Sequence, residues 1–183
     1  MKRRKFLEST LASSVLGMYP NGATANNSEK KGFIVKAGEA RMDERSPFMG
    51  VNPNDLKISS KDTDGTLSVF EYIGTQKVGP VLHVHFHQDE IFYVVEGEYL
   101  FQLGAEKQKL KAGDTIFLPR NIPHTWVQLS DNGKLIYFLQ PAGQLEAFFK
   151  TMNSLKGRPT DEEFQKITME YGMKNVGPPL RAE

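Results

Sequence analysis

The chain has 183 residues, no cysteine, four histidines and a formal net charge of +1. Its 39% hydrophobic and 25% charged residues are ordinary globular composition, and the length suits one domain with extensions rather than a coiled coil or a disordered chain. Without cysteine there is no disulfide framework, no thiol nucleophile and no thiolate zinc or iron–sulfur site, so any transition metal must be held by nitrogen and oxygen; the near-neutral balance excludes an electrostatic case for nucleic acid.

Residues 1–25 read as an export signal. Lys2, Arg3, Arg4 and Lys5 form a basic head, a mildly apolar stretch runs from Phe6 to Met18, and Ala23-Thr24-Ala25 is an A-x-A cleavage site. Arg3-Arg4-Lys5-Phe6-Leu7 resembles the twin-arginine motif, with Lys2 where that motif has Ser or Thr. The expectation is an exported, periplasmic or extracellular protein; the alternative is a basic, partly helical tail on a cytoplasmic one. No stretch is apolar for long enough to be a stable membrane span. Removing the four Lys/Arg and one Asp/Glu of residues 1–25 leaves 19 basic and 21 acidic residues, a net of −2, so the positive charge belongs to the address.

Residues 26–66 are predicted to be linker, one strand and loops. Phe33-Ile34-Val35-Lys36 reads as the strand, and the polar remainder carries Pro47, Gly50, Pro53, Asn54 and Gly65. Residues 67–141 have a different texture. Short apolar or β-branched runs recur at 67–73, 81–85, 91–95, 99–103, 115–118, 125–129 and 135–139, separated by turn residues such as Gly74, Gly97, Gly104 and Asn132-Gly133. Many short strands at this spacing predict an all-β sandwich or barrel. From 142 to 183 the period becomes helical. Leu145, Phe148, Phe149 and Met152 form one apolar stripe, and Thr160 to Glu163 opens a second helix in capping-box form. That helix carries Phe164, Ile167 and Tyr171, with Gly172 as its stop. Both helices are expected to pack on the outside of the β domain, with their aromatic stripes as core.

All four histidines lie between positions 83 and 124. His83 and His85 share one face if 81–85 is a strand, so their imidazoles can converge on one ion. Glu90 opens the next strand and can face the same interior, and His124 follows a turn at Pro119–Pro123. Three imidazoles and a carboxylate suit a divalent transition metal: iron, manganese, nickel, cobalt, copper or zinc. By parity with His124 and Glu90, the side chains of Trp126, Phe92 and Val94 point inward, either as barrel core or as apolar pocket walls suited to a flat ring. Glu71 and Arg120 are charged groups either near the mouth or in surface ion pairs.

Residues 79–97, with His83, His85, Glu90 and Gly97, resemble the first cupin motif, although Gly79 sits nearer the first histidine than the pattern has it. Residues 113–128 resemble the second, with Gly113, Pro119 and His124 in place, Asn121 where the motif has glycine and Gln128 where it has asparagine. Asn tolerates the left-handed backbone that a glycine would take there. The wider chain is similar to small single-domain bacterial cupins described as quercetin 2,3-dioxygenase-like. The resemblance implies a mainly β fold, the double-stranded β-helix or jelly-roll barrel, with two C-terminal α-helices. It implies a metal held by His83, His85, Glu90 and His124, and a homodimer as the common assembly. His87 lies outside the motif and is either exposed, a hydrogen-bonding partner behind a ligand, or an alternative ligand; Asp89 is expected in a solvated turn.

The activity implied is a metal-dependent dioxygenase that brings dioxygen to a flavonol-like or other enol or phenol small molecule, with Glu90 as the catalytic base. The alternatives are a non-catalytic cupin that binds metal or a small ligand, or a metal-dependent isomerase or lyase. Fold alone does not choose among them.

Overall fold

The computed structural model describes residues 31–43 and 45–182. The expected export signal over 1–25 lies outside the described residues. The residues from Phe33 onward form one compact unit.

Among the described residues, ten strands make two antiparallel five-stranded sheets. The first holds β1 (Asn54–Ile58), β2 (Ser68–Gly74), β9 (Gly133–Gln140), β4 (Asp89–Glu96) and β7 (Thr115–Leu118), in that spatial order. The second holds β10 (Met173–Pro179), β3 (Val81–His85), β8 (His124–Gln128), β5 (Glu98–Leu103) and β6 (Glu106–Lys111). Alternation decides what each strand buries. In β9, Leu135, Tyr137 and Leu139 face in, and in β4 Glu90, Phe92 and Val94 do. The two inner faces meet in an aromatic core: Tyr137 stacks on Phe70 and Phe92 from its own sheet, and Phe92 meets Phe101 of the other at 5.3 Å. The fold is the expected mainly β jelly roll with two C-terminal helices.

Three local readings change. Phe33–Lys36 is not a strand; among the described residues none pairs with it, and the Arg41 guanidinium sits 4.1 Å over the Phe33 ring instead. The charged stretch Glu106–Lys111 is β6, an edge strand whose lysines leave the outer edge unattractive to further strands. The C-terminal extension is not helical throughout. After the helices, β10 returns to the barrel and pairs with β3, Met173 opposite His85 and Asn175 opposite His83. Gly177 and the two prolines suit an edge strand with bulges.

The helices are α1 (Leu145–Ser154) and α2 (Asp161–Glu170). Thr160 and Glu163 cap α2 reciprocally, as predicted, and Gly172 follows with a φ of 76°. The aromatic stripes of both helices join the core, as expected. Phe149 of α1 meets the inward-facing rings of Phe70 at 5.6 Å and Phe48 at 6.5 Å, and Phe148 packs on Phe164 and Tyr171. Their aromatic stripe therefore closes the open flank between the sheets. Glu146 ties the start of α1 to the β1–β2 loop through Ser59 Oγ at 2.8 Å and the Ser60 amide at 2.6 Å.

Candidate metal centre

Strand β3 presents His83 and His85 on its inner face, and β8 lays His124 directly opposite His83. Because β10 pairs along the other side of β3, the histidine strand is internal to its sheet and held on both edges. Glu90 does not come from an adjacent strand. It reaches across from β4 in the facing sheet, where it sits between Leu118 and Leu139. Asn121 takes a φ of 65° in the turn that delivers His124, and its amide donates to the His85 carbonyl at 2.8 Å. Gly79 runs so close to β8 that a Cβ would stand 1.7 Å from the Trp126 carbonyl oxygen.

The ligating atoms of His83, His85, Glu90 and His124 all lie within 4.8 Å of one another. Each imidazole is fixed from behind. His83 Nδ1 donates to the Val81 carbonyl and His124 Nδ1 to the Ile122 carbonyl, both at 2.9 Å. A carbonyl only accepts, so the proton sits on Nδ1 and the Nε2 lone pair faces the centre. His85 Nδ1 meets Gln88 Oε1 at 3.4 Å, and Gln88 is itself oriented by donating to the Ala142 carbonyl at 2.7 Å. Burial, then the neighbouring imidazoles, hold His83 down to about 3; burial and His124 do the same for His85. Both are neutral at physiological pH, the state in which imidazole ligates.

His124 Nε2 is buried with no hydrogen-bond partner, although Glu90 Oε2 stands only 3.3 Å away. His85 Nε2 is 3.9 Å from the same oxygen. Imidazole lone pairs facing a carboxylate in a dry space repel unless a cation lies between them. The four residues fit a metal ion, and their three nitrogens and one carboxylate suit the transition metals named above.

The centre opens on a cavity of about 640 Å³ that His83, His85 and Glu90 line. Phe92 and Trp126 are also in its walls, while Val94, fully buried, is core and not wall. Phe48, from the loop before β1, stacks on Trp126 at 5.5 Å, and Phe148 and Phe149 of α1 complete an aromatic enclosure. His87 is exposed in the turn before β4, outside both the ligand group and the cavity wall. Glu71 and Arg120 are in ion pairs away from the cavity. Lys57 and Lys134 hold Glu71, and Arg120 takes Asp89 in a two-pronged pair at 3.0 and 2.7 Å. Asp89 is thus the first residue of β4 and not a solvated turn.

Gln88, Phe48 and Asn54 belong to this site without having been singled out as site residues from sequence. Gln88 lies inside the first motif, and only its link to Ala142 reveals its task. Phe48 and Asn54 sit in a polar stretch with no periodic signal.

A sequence model of the cupin domain matches residues 69–139, which run from β2 through β9 and contain all four clustered side chains. That stretch is a cupin domain. Quercetin 2,3-dioxygenase of Bacillus subtilis is 31% identical to this cupin over 146 residues, 79% of this chain and 42% of that protein. An uncharacterized protein of Methanocaldococcus jannaschii is 46% identical over 44 residues, 24% of this chain and 35% of its own. The cupin spans less than half the length of these two relatives. Among solved structures, a protein of Thermotoga maritima named as a predicted oxalate decarboxylase superposes with a TM-score of 0.52 at 17% identity, over 60% of this chain and 99% of that one. That likeness concerns the fold. No helix of the described residues is long and apolar enough to cross a membrane.

Proposed function

We propose that this cupin is a metal-dependent dioxygenase acting on a flavonol-like or other ring-bearing enol or phenol. The observation that carries the reading is the position of the three-histidine, one-glutamate cluster at the wall of an aromatic cavity of about 640 Å³. Such a volume suits a molecule of drug size, and walls of Phe48, Phe92, Trp126 and Phe149 favour flat rings over a sugar or a two-carbon acid. The likeness to quercetin 2,3-dioxygenase supports the same substrate class.

A divalent transition metal, when bound, supplies Lewis acidity that lowers the pKa of an enol or phenol oxygen beside it. The chain's own residues do the rest. The histidines hold their Nε2 atoms at fixed positions through their Nδ1 partners. Phe92 and Trp126 orient the ring and exclude water. Glu90 Oε2 accepts the proton that the substrate hydroxyl gives up. An exported protein, as residues 1–25 suggest, would meet such small molecules outside the cytoplasm.

The test is oxygen uptake with a panel of flavonols, run on the parent and on Glu90→Gln. The expected outcome is uptake by the parent and a loss of about 100-fold or more in the variant, while three nitrogens still retain metal. Full activity in Glu90→Gln would remove the base role. Ligand-induced stabilisation of the parent with no oxygen consumed would favour a binding protein instead.

A further inference from the structure

The metal cluster is closed on one side and open on the other. His83, His85 and Glu90 line the cavity, whereas His124 does not. The histidine strand β3 lies between β8, which brings His124, and β10, which returns from the C-terminal extension. Met173 and Asn175 of β10 also line the cavity, so at the level of the cluster it opens toward β10. Register fixes what stands there. Asn175 is directly opposite His83, as Met173 is opposite His85. Opposite residues of an antiparallel pair put their side chains on the same face, with Cβ atoms about 5 Å apart. Asn175, His83 and His124 thus form one row across the sheet, and Asn175 ends that row on the open side.

The Asn175 carboxamide is reachable and uncommitted. The wall holds three asparagines. Asn54 is 1% exposed and accepts from the Tyr137 hydroxyl, and Asn153 donates to the Phe149 carbonyl. Asn175 is half-buried, and among the described residues no donor or acceptor takes its side chain. Asparagine is depleted from strands, and an inward position on an apolar wall gives it nothing to pack for. Ligand pockets use a few such placed polar groups to fix orientation.

We infer that Asn175 is a specificity-determining residue whose carboxamide hydrogen-bonds the ligand oxygen next to the one received by His83, His85 and Glu90. The ligand class is an aromatic or conjugated enol or phenol with a second oxygen on the neighbouring carbon, a catechol or an α-hydroxy ketone. The spacing of about 4.8 Å between β3 and β10 suits two neighbouring oxygens. A ring with a single hydroxyl engages the cluster and leaves Asn175 unused. The inference rests on the aromatic-ligand reading above and narrows it, and its residue lies outside the cupin-domain stretch 69–139.

The experiment is isothermal titration calorimetry of the full chain, with its metal bound, against 2,3-dihydroxynaphthalene and against 2-naphthol, which lacks the second oxygen. Asn175→Leu is expected to weaken the diol about tenfold and to leave 2-naphthol within about twofold, because only the diol loses a partner. Metal content by elemental analysis is expected to match the parent, since the four clustered residues are untouched. Should Asn175→Leu fail to melt cooperatively, Asn175→Ala decides by the same comparison. Equal effects on both ligands, or none on the diol, would overturn the role of Asn175 and leave the aromatic-ligand reading standing. A variant that sheds its metal would make Asn175 a support for the histidines and overturn the inference as well. A diol preference that depends on Asn175, in a parent that consumes no oxygen with flavonols, would sink the dioxygenase reading and keep the role of Asn175. A parent that binds neither ligand would sink both.

Discussion

The two sheets contribute to the metal centre in different ways. The β10-β3-β8 side supplies three imidazoles, each with its Nδ1 on an acceptor and its strand paired on both edges. The β9-β4-β7 side supplies one carboxylate, whose Oε2 faces the Nε2 atoms of His124 and His85 at 3.3 and 3.9 Å with no hydrogen bond to either. One sheet is built to hold ligands still. The other offers a group that can change partners, which is what accepting a substrate proton requires. On the proposed reading the contrast separates affinity from chemistry: binding would reside with the histidines and turnover with Glu90.

The largest break in that contrast is His85→Leu. It removes a fixed nitrogen whose place nothing else in the cavity can take, so metal affinity should fall by more than about 100-fold, beyond what losing an orienting partner costs. Elemental analysis after dialysis against a competing chelator reads it. Retention of one metal per chain would show that Glu90, not the histidines, dominates binding. A finer probe leaves all four ligands intact. Gln88→Leu takes away the acceptor behind His85 and frees the Ala142 carbonyl. Metal affinity should drop about 10- to 100-fold. Gly143 should not take a side chain either, since its Cβ would stand 2.2 Å from Gln88 Cδ. An unchanged affinity in Gln88→Leu would mean that β3 alone fixes the imidazole.

The ligands themselves were legible in the sequence because their signal is local. His83 and His85 differ by one strand repeat, Glu90 opens the next run, and His124 follows a proline-bounded turn. Fold class was legible for the same reason, through short apolar runs at even spacing. What escaped was set by distant partners. β6 has no apolar face because it is an edge, and β10 hides behind Gly-Pro-Pro because its only task is to cover β3. Phe33–Lys36 has the composition of a strand but, among the described residues, no neighbour to bond. Gln88 acquires its role from a carbonyl 54 residues away. Asn54 takes its hydrogen bond from Tyr137, 83 residues away. The helices look like ordinary amphipathic cover from their stripes, and only the rings they meet show that they wall the cavity.

The smallest expected effect is one of pH, and it belongs to the histidine sheet. In the metal-free protein His83 and His85 are held down to about 3, against 6.5 for a free imidazole. Between those values the unfolded chain binds more protons than the folded one, so stability rises with pH. It is complete above about 6.5 and is lost progressively as pH falls from there toward 3. At pH 6 the loss is roughly 1–2 kcal/mol for the two together, seen as a lower melting temperature than at pH 8. The same slope should persist in Glu90→Gln, which leaves both imidazoles buried, and should shrink in His85→Leu, which removes one of them. A slope that instead vanished in Glu90→Gln would assign the pH dependence to the carboxylate and erase the division of labour between the sheets.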